Sequence, residues 1–217
     1  MNLQDKIDYN ITLDTVRFVL KPLRSEDTKK LLALCSRDGF TYPYIHSHKK
    51  TMHLPLEQRV AAYTGLGDQA ADGDFGRSMI QAIYDKDEKE LLGVACLFAI
   101  SKEDTLFYRA DAQTEWEIGA FVDKVHWKDK TATESLNALI QYGIDNWNLK
   151  GIRASMEPGR KGSVAIVKRL GLELIEYIPA GSLMVDGQER VPYYTNDQKP
   201  AARYTYASPP GWKFAPA

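Results

Sequence analysis

The sequence predicts a mixed α/β domain, and three observations carry that expectation. Strand-like and helix-like stretches alternate along most of the chain. In the second half a long helical pattern lies between two strand patterns, as a crossover requires. The composition, 44% apolar and 26% charged over 217 residues, belongs to a chain that can bury a core at this length. One domain is expected over residues 1–197, followed by a segment, 198–217, of different character.

The elements follow in order. Residues 1–15 read as a polar lead-in. Val16 to Leu23 alternates, with Val16, Phe18 and Leu20 against Arg17 and Lys21, which predicts a half-buried strand closed by Pro22. Ser25-Glu26-Asp27 suits a helix start, Leu31, Leu32 and Leu34 form its apolar stripe, and Gly39 stops it. A second helix is expected at Pro55–Tyr63, interrupted by Gly65 and Gly67. A strand at about Ser78–Tyr84 leads through a charged turn, 85–89, to Leu91–Ile100, an apolar run fit for a strand buried on both faces. Glu115 to Val122 alternates again, with Trp116, Ile118 and Ala120 on one face and Glu115, Glu117, Gly119 and Phe121 on the other.

Thr131 to Trp147 has the clearest helical spacing, with Thr131 and Glu134 placed as a capping box. A short strand at Gly151–Met156, a helix at Ser163–Leu170 stopped by Gly171, and a strand at Leu172–Ile178 follow. Ser182 to Val185, a turn at Asp186-Gly187 and a returning strand at Arg190–Tyr194 complete the order. Residues 198–217 hold Pro200, Pro209, Pro210 and Pro216 interleaved with Tyr204, Tyr206, Trp212 and Phe214. Four exposed rings are unfavourable, so this segment is expected as a strap on the domain's own surface or on a partner subunit, which leaves a homodimer open.

Charge and cysteines limit the function classes. Lys and Arg number 28 and Asp and Glu 29, a net charge of −1, which argues against a large nucleic-acid footprint. The longest apolar run is about half a membrane span. The first residues carry no signal core, so no membrane contact and a cytoplasmic location are expected. Cys35 and Cys96 are read as buried free thiols. His46, His48 and His53 lie close together, but no carboxylate or thiolate lies between them and Lys49 and Lys50 oppose a cation, so no metal site is expected.

Five features then occur in order: Glu117-Ile118-Gly119-Ala120-Phe121-Val122-Asp123; Trp127-Lys128-Asp129-Lys130-Thr131-Ala132-Thr133-Glu134; Glu157-Pro158-Gly159-Arg160-Lys161-Gly162-Ser163; Lys168-Arg169-Leu170-Gly171-Leu172; and Asp186-Gly187 with Arg190. In this succession the chain resembles the GNAT superfamily of N-acetyltransferases, most closely the ribosomal-protein alanine acetyltransferase branch (the RimJ/RimL type). The resemblance covers roughly residues 15 to 195. It implies a central, mostly antiparallel sheet that splays, flanked by helices. It also implies acetyl transfer from acetyl-CoA to a primary amine of a small molecule or a peptide N-terminus.

The resemblance assigns candidate site residues. Glu117 would be the base, with Glu115 on the same face; Ser163 would donate to the thiolate leaving group or bond the cofactor. The backbone of Phe121 and Val122 would pair with the pantetheine arm, as an added strand does. Lys128, Asp129, Lys130, Thr131, Ala132 and Thr133 would form the pyrophosphate loop, with Arg160 in the neighbouring loop. That pyrophosphate loop is degenerate: Lys128 and Lys130 stand where the family has glycine, and Arg160 stands where it has asparagine. Two readings follow. Either side-chain charge takes over what close backbone approach does elsewhere, with the helix N-terminus still contributing, or the side chains obstruct the cradle and leave a binding module or a user of another acyl donor.

Overall fold

The computed structural model describes residues 8–37, 54–72, 78–99, 115–157, 159–178 and 203–216, with the short pairs 184–185, 188–189, 193–194 and 200–201. The strands are β1 (Leu13–Asp14), β2 (Phe18–Pro22), β3 (Ser78–Asp85), β4 (Leu91–Ala99), β5 (Glu115–Val122), β6 (Gly151–Met156) and β7 (Glu173–Ile178). The last ones are β8 (Met184–Val185), β9 (Gln188–Glu189), β10 (Tyr193–Tyr194), β11 (Pro200–Ala201) and β12 (Arg203–Ala207). The helices are α1 (Thr28–Cys35), α2 (Leu56–Ala71), α3 (Thr131–Trp147) and α4 (Lys161–Arg169).

Eight strands form one sheet in the order β1-β2-β3-β4-β5-β6-β12-β7. Every neighbouring pair is antiparallel except β5–β6. This is the mixed, mostly antiparallel sheet expected of the GNAT-like class. β5 and β6 are in register over only Glu115–Glu117 and Gly151–Arg153, and from Ile118 onward β5 pairs with no strand on that side among the described residues. The sheet therefore splays at Glu117.

Two apolar clusters cover its two faces. One joins Trp116, Ile118 and Val122 to Leu136, Leu139, Ile140 and Trp147 of α3, with the Trp116 and Trp147 rings stacked at 4.7 Å. The other joins Val94, Cys96 and Phe121 to Leu31 and Leu34 of α1 and Val60 and Tyr63 of α2. β4 is buried between them from Leu91 to Leu97, as its uninterrupted apolar run predicts.

Three elements differ from expectation. α2 does not stop at Tyr63 but runs through Gly65 and Gly67 to Ala71. Gly67 faces the carbonyl of Leu23, where a Cβ would lie 2.4 Å from the oxygen, so its small size serves helix-to-strand contact and not a turn. The strand expected at Arg190–Tyr194 is displaced: β8 pairs with β9, and Tyr193–Tyr194 pairs with β11.

The strand that returns beside β7 is β12, which lies within the segment read as a strap. Residues 203–207 are therefore corrected from strap to sheet. The alternation of Tyr204 and Tyr206 with Thr205 and Ala207 directs both rings to the α3 side and makes the segment a strand. Beyond it Trp212 donates Nε1–H to the Leu170 carbonyl at 3.0 Å and packs with Phe214 on the same core.

The two glycines of α2 make a controlled pair. Gly65 faces open space. Gly65→Ala should stabilise the protein by about 0.5–1 kcal/mol through helix propensity. Gly67→Ala should destabilise it by about 1–3 kcal/mol, because backbone must move. Urea denaturation of the two variants checks the opposite signs.

Candidate active site

The site is built where β5 leaves β6. Glu117 is the last β5 residue paired to β6, in register with Arg153 there and with Phe98 on β4. Trp116 and Ile118 belong to the core under α3, so Glu117 points to the opposite face, and it is half-buried. Its charge is felt by the Cys96 thiol. Burial pushes that thiol up to about 12; the Tyr63 hydroxyl, 3.9 Å away, opposes the rise and Glu117 adds to it. Cys35 is likewise pushed up to about 12, by burial, with Arg59 opposing. Both free thiols are thus held protonated near neutral pH, which removes them as nucleophiles. Glu115 is the first residue of β5; its side chain lies outside the described residues, as do His46, His48 and His53.

Strand parity decides which backbone groups reach the splay. The Asp123 N–H donates to the Leu92 carbonyl at 2.8 Å. A Cβ built on Gly93 would lie 2.2 Å from the Phe121 oxygen. Phe121 therefore turns its carbonyl to β4, and glycine at 93 is what allows the approach. Val122, one residue on, turns to the open side. Of the two residues expected along the pantetheine arm, Val122, with Ala120 and Ile118 sharing its parity, turns its backbone to the open side, and Phe121 turns to β4. The Val122 carbonyl accepts the Trp127 indole N–H at 2.9 Å.

The chain then turns through a short 3₁₀ segment, Lys124–His126. Asp123 is 4% exposed, accepts from the Val125 N–H at 3.2 Å and pairs with Arg37. Lys128, Asp129 and Lys130 are exposed, and Trp127 is 61% exposed. Lys130 caps α3 in the left-handed conformation, φ 56° and ψ 26°, that glycine adopts without strain. The loop has kept a glycine-like backbone at the lysine, at a cost of about 1–2 kcal/mol.

Behind it, the N–H groups of Thr131, Ala132 and Thr133 begin α3 and have no acceptor one turn earlier in the helix. Thr131 donates its hydroxyl to the His126 carbonyl at 3.2 Å. The loop thus presents first-turn N–H groups behind two exposed ammonium groups, a donor set suited to a pyrophosphate.

The expected capping box is not formed. Lys130 has no side-chain cap, and Glu134 reaches instead to the β1–β2 turn. There it accepts from the Thr15 hydroxyl at 2.7 Å, the Arg17 N–H at 2.9 Å and Arg17 Nε at 2.8 Å. In the second loop Arg160 is the residue before α4 and holds Glu157 through Nε and Nη2, at 3.1 and 2.9 Å. Ser163 is the third residue of α4, so the N-cap place belongs to Arg160.

A model of the acetyltransferase (GNAT) domain matches residues 17–173. The chain belongs to the GNAT acetyltransferase family. It is thereby an acyltransferase of the N-acetyltransferase kind. It is 26% identical over 179 residues to an uncharacterised N-acetyltransferase, p20, of Bacillus licheniformis, covering 81% of this chain and 92% of that one. Among solved structures, Mycobacterium smegmatis RimJ in complex with CoA-disulfide superposes with a TM-score of 0.64 at 16% identity, covering 92% of this chain and 88% of that one. RimL, a ribosomal L7/L12 α-N-protein acetyltransferase in complex with coenzyme A, superposes with a TM-score of 0.63 at 13% identity, covering 91% and 97%. No helix among the described residues is long and apolar enough to cross a membrane.

Sequence reasoning did not single out Arg153, the register partner of Glu117. The alternation of Ile152, Ala154 and Met156 with Arg153 and Ser155 was the available signal.

Glu134 supplies a pH-dependent tie at the start of α3. Burial pushes its carboxyl up, but the hydrogen bonds from Thr15 and Arg17 and the Arg17 charge outweigh that and hold it below the ordinary carboxylate value. A depressed carboxyl contributes its stability above the unfolded value and loses it as pH falls through the folded one. Glu134→Gln should therefore cost about 1 kcal/mol at pH 7. The two proteins should converge in urea midpoint as pH falls through the lowered value of Glu134.

Proposed function

We propose that the chain transfers an acetyl group from acetyl-CoA to a primary amine, with Glu117 as the base. The observation that carries this reading is the placement of Glu117: half-buried, at the point where β5 and β6 part, on the face away from α3. A carboxylate there can take the amine proton as the new C–N bond replaces the thioester C–S bond. The Ser163 hydroxyl donates to the departing sulfur.

Bound acetyl-CoA would supply the activated acetyl group and a good leaving group. Lys128, Lys130 and the first N–H groups of α3, at Thr131, Ala132 and Thr133, would hold its pyrophosphate, with Asp129 in the same turn and Arg160 in the neighbouring loop. The open backbone edge of β5 at Val122 would pair with its pantetheine arm. Glycine elsewhere in the family gives backbone contact alone; Lys130 in a glycine-like conformation gives backbone contact and charge.

Two measurements test this. Glu117→Gln should lower kcat about 10²-fold or more with the fold intact; an unchanged rate removes Glu117 from the mechanism. Lys128→Ala combined with Lys130→Gly keeps the left-handed turn and deletes the charge. By calorimetry at low salt this variant should bind CoA about 1–3 kcal/mol more weakly than the parent, and the gap should narrow as salt rises. Equal affinities would leave the backbone alone as the holder.

A further inference from the structure

α4 and the turns around it carry cations and no acid. From Gly159 to Leu172 the sequence holds Arg160, Lys161, Lys168 and Arg169, and neither Asp nor Glu. Arg160 is neutralised by Glu157. Lys161, Lys168 and Arg169 are exposed and make no ion pair among the described residues. Lys161 and Lys168 are seven residues apart, two helical turns, so they stand on one face of α4 about 10 Å from each other.

That face borders a groove open to solvent. Val167 and Leu170 turn to the core, and Lys161, Val164 and Lys168 form one wall of the groove. Tyr204 and Tyr206 of β12 form its floor, and its volume is about 450 Å³. The floor continues onto β7, the last strand of the sheet. Leu174 is paired opposite Tyr206 and Tyr177 opposite Tyr204, with the Tyr177 and Tyr204 rings 5.1 Å apart, so these side chains share the α3 face. Leu174 and Tyr177 are each 51% exposed.

Exposed apolar side chains gathered beside unpaired cations mark a contact surface. The whole chain has a net charge of −1, so the positive charge here is local and selects an anionic partner. That partner must also bring apolar groups to the floor. A flat lipid surface would meet the lysines without reaching the floor of a concave groove. Successive bases of a nucleic acid need ring faces to stack on, and Tyr177 and Tyr204 are tilted by 47° and share no plane. A peptide carries both kinds of group, and three residues of extended chain span the same distance of about 10 Å.

We propose that the groove between α4 and the β12–β7 edge docks a segment of a protein partner in which acidic residues flank apolar ones. The apolar side chains lie on the tyrosine floor and the carboxylates meet Lys161 and Lys168. This does not rest on the reading of Glu117, which points to the opposite face of the sheet.

The test uses the full chain and a panel of hexapeptides in which two glutamates flank two or three Leu, Phe or Tyr residues. Each peptide is blocked at its N-terminus, so that it offers no amine to the transfer site. Binding is measured by calorimetry at low salt. The glutamate peptides should bind at least tenfold more tightly than the same peptides with glutamine. Lys161→Gln combined with Lys168→Gln should remove that preference, and Leu174→Ser should weaken the glutamate peptides severalfold. These side chains are exposed or half-exposed, so the variants should fold and CoA binding should not change. Lys128→Ala combined with Lys130→Gly should leave peptide binding unchanged. No binding across the panel, equal binding of glutamate and glutamine peptides, or a preference that survives loss of both lysines overturns the proposal. Tighter lysine-dependent binding of single-stranded oligothymidylate or of phosphatidylserine vesicles also overturns it and assigns the face to a nucleic acid or a membrane.

Discussion

β5 and β6 share only three residues of pairing, and the site depends on that short contact. Each strand is committed on its other edge: β5 to β4 from Trp116 to Val122, and β6 to β12 from Arg153 to Met156. The sheet is therefore rigid on both sides of the gap while the gap itself is open. An open strand edge leaves backbone donors and acceptors seeking partners. One of them, the Val122 carbonyl, is met by the Trp127 indole, which also fixes the direction in which the chain leaves β5. The loop and α3 follow from where β5 ends.

The loop after β5 shows how a sequence can depart from a motif and keep its geometry. Lys130 is held in a left-handed conformation that an L-residue disfavours. The surrounding ties supply the compensation. Asp123 accepts from the Val125 N–H, Thr131 bonds back to His126, and Glu134 clamps the first turn of α3 to Thr15 and Arg17. A glycine would reach the same backbone shape without these contacts, but it would bring no charge. Lysine at this position thus adds an ammonium beside the start of α3 while the backbone keeps the left-handed turn.

Elements specified by local periodicity were legible in the sequence. α3, β4 and β5 carry their own burial pattern, and each lies where its apolar spacing predicts. Features decided by distant neighbours were not. Gly67 looks like a helix stop until Leu23 is seen against it. β12 was hidden by prolines on either side, although Tyr204-Thr205-Tyr206 alternates as a strand should, because its partners β6 and β7 are remote in the chain. Glu134 has the spacing of a capping box, but an arginine and a threonine more than a hundred residues away offer it better partners. The choice between Phe121 and Val122 needs the β4 register, which no spacing within β5 contains.

The two ends of the site carry charge in physically different ways. Lys128 and Lys130 are exposed, flexible ammonium groups on a loop, and their attraction for phosphate is shared with every ion in solution. Glu117 and Arg153 stand on adjacent strands whose backbones are fixed by the sheet, with Arg153 withdrawn from water. Charges placed that way are screened little, and they discriminate by geometry more than by attraction at a distance. A ligand held at both ends would then feel ionic strength mainly through its phosphate end. Side chains on the strands keep their face because the register cannot shift by one residue without turning every one of them over.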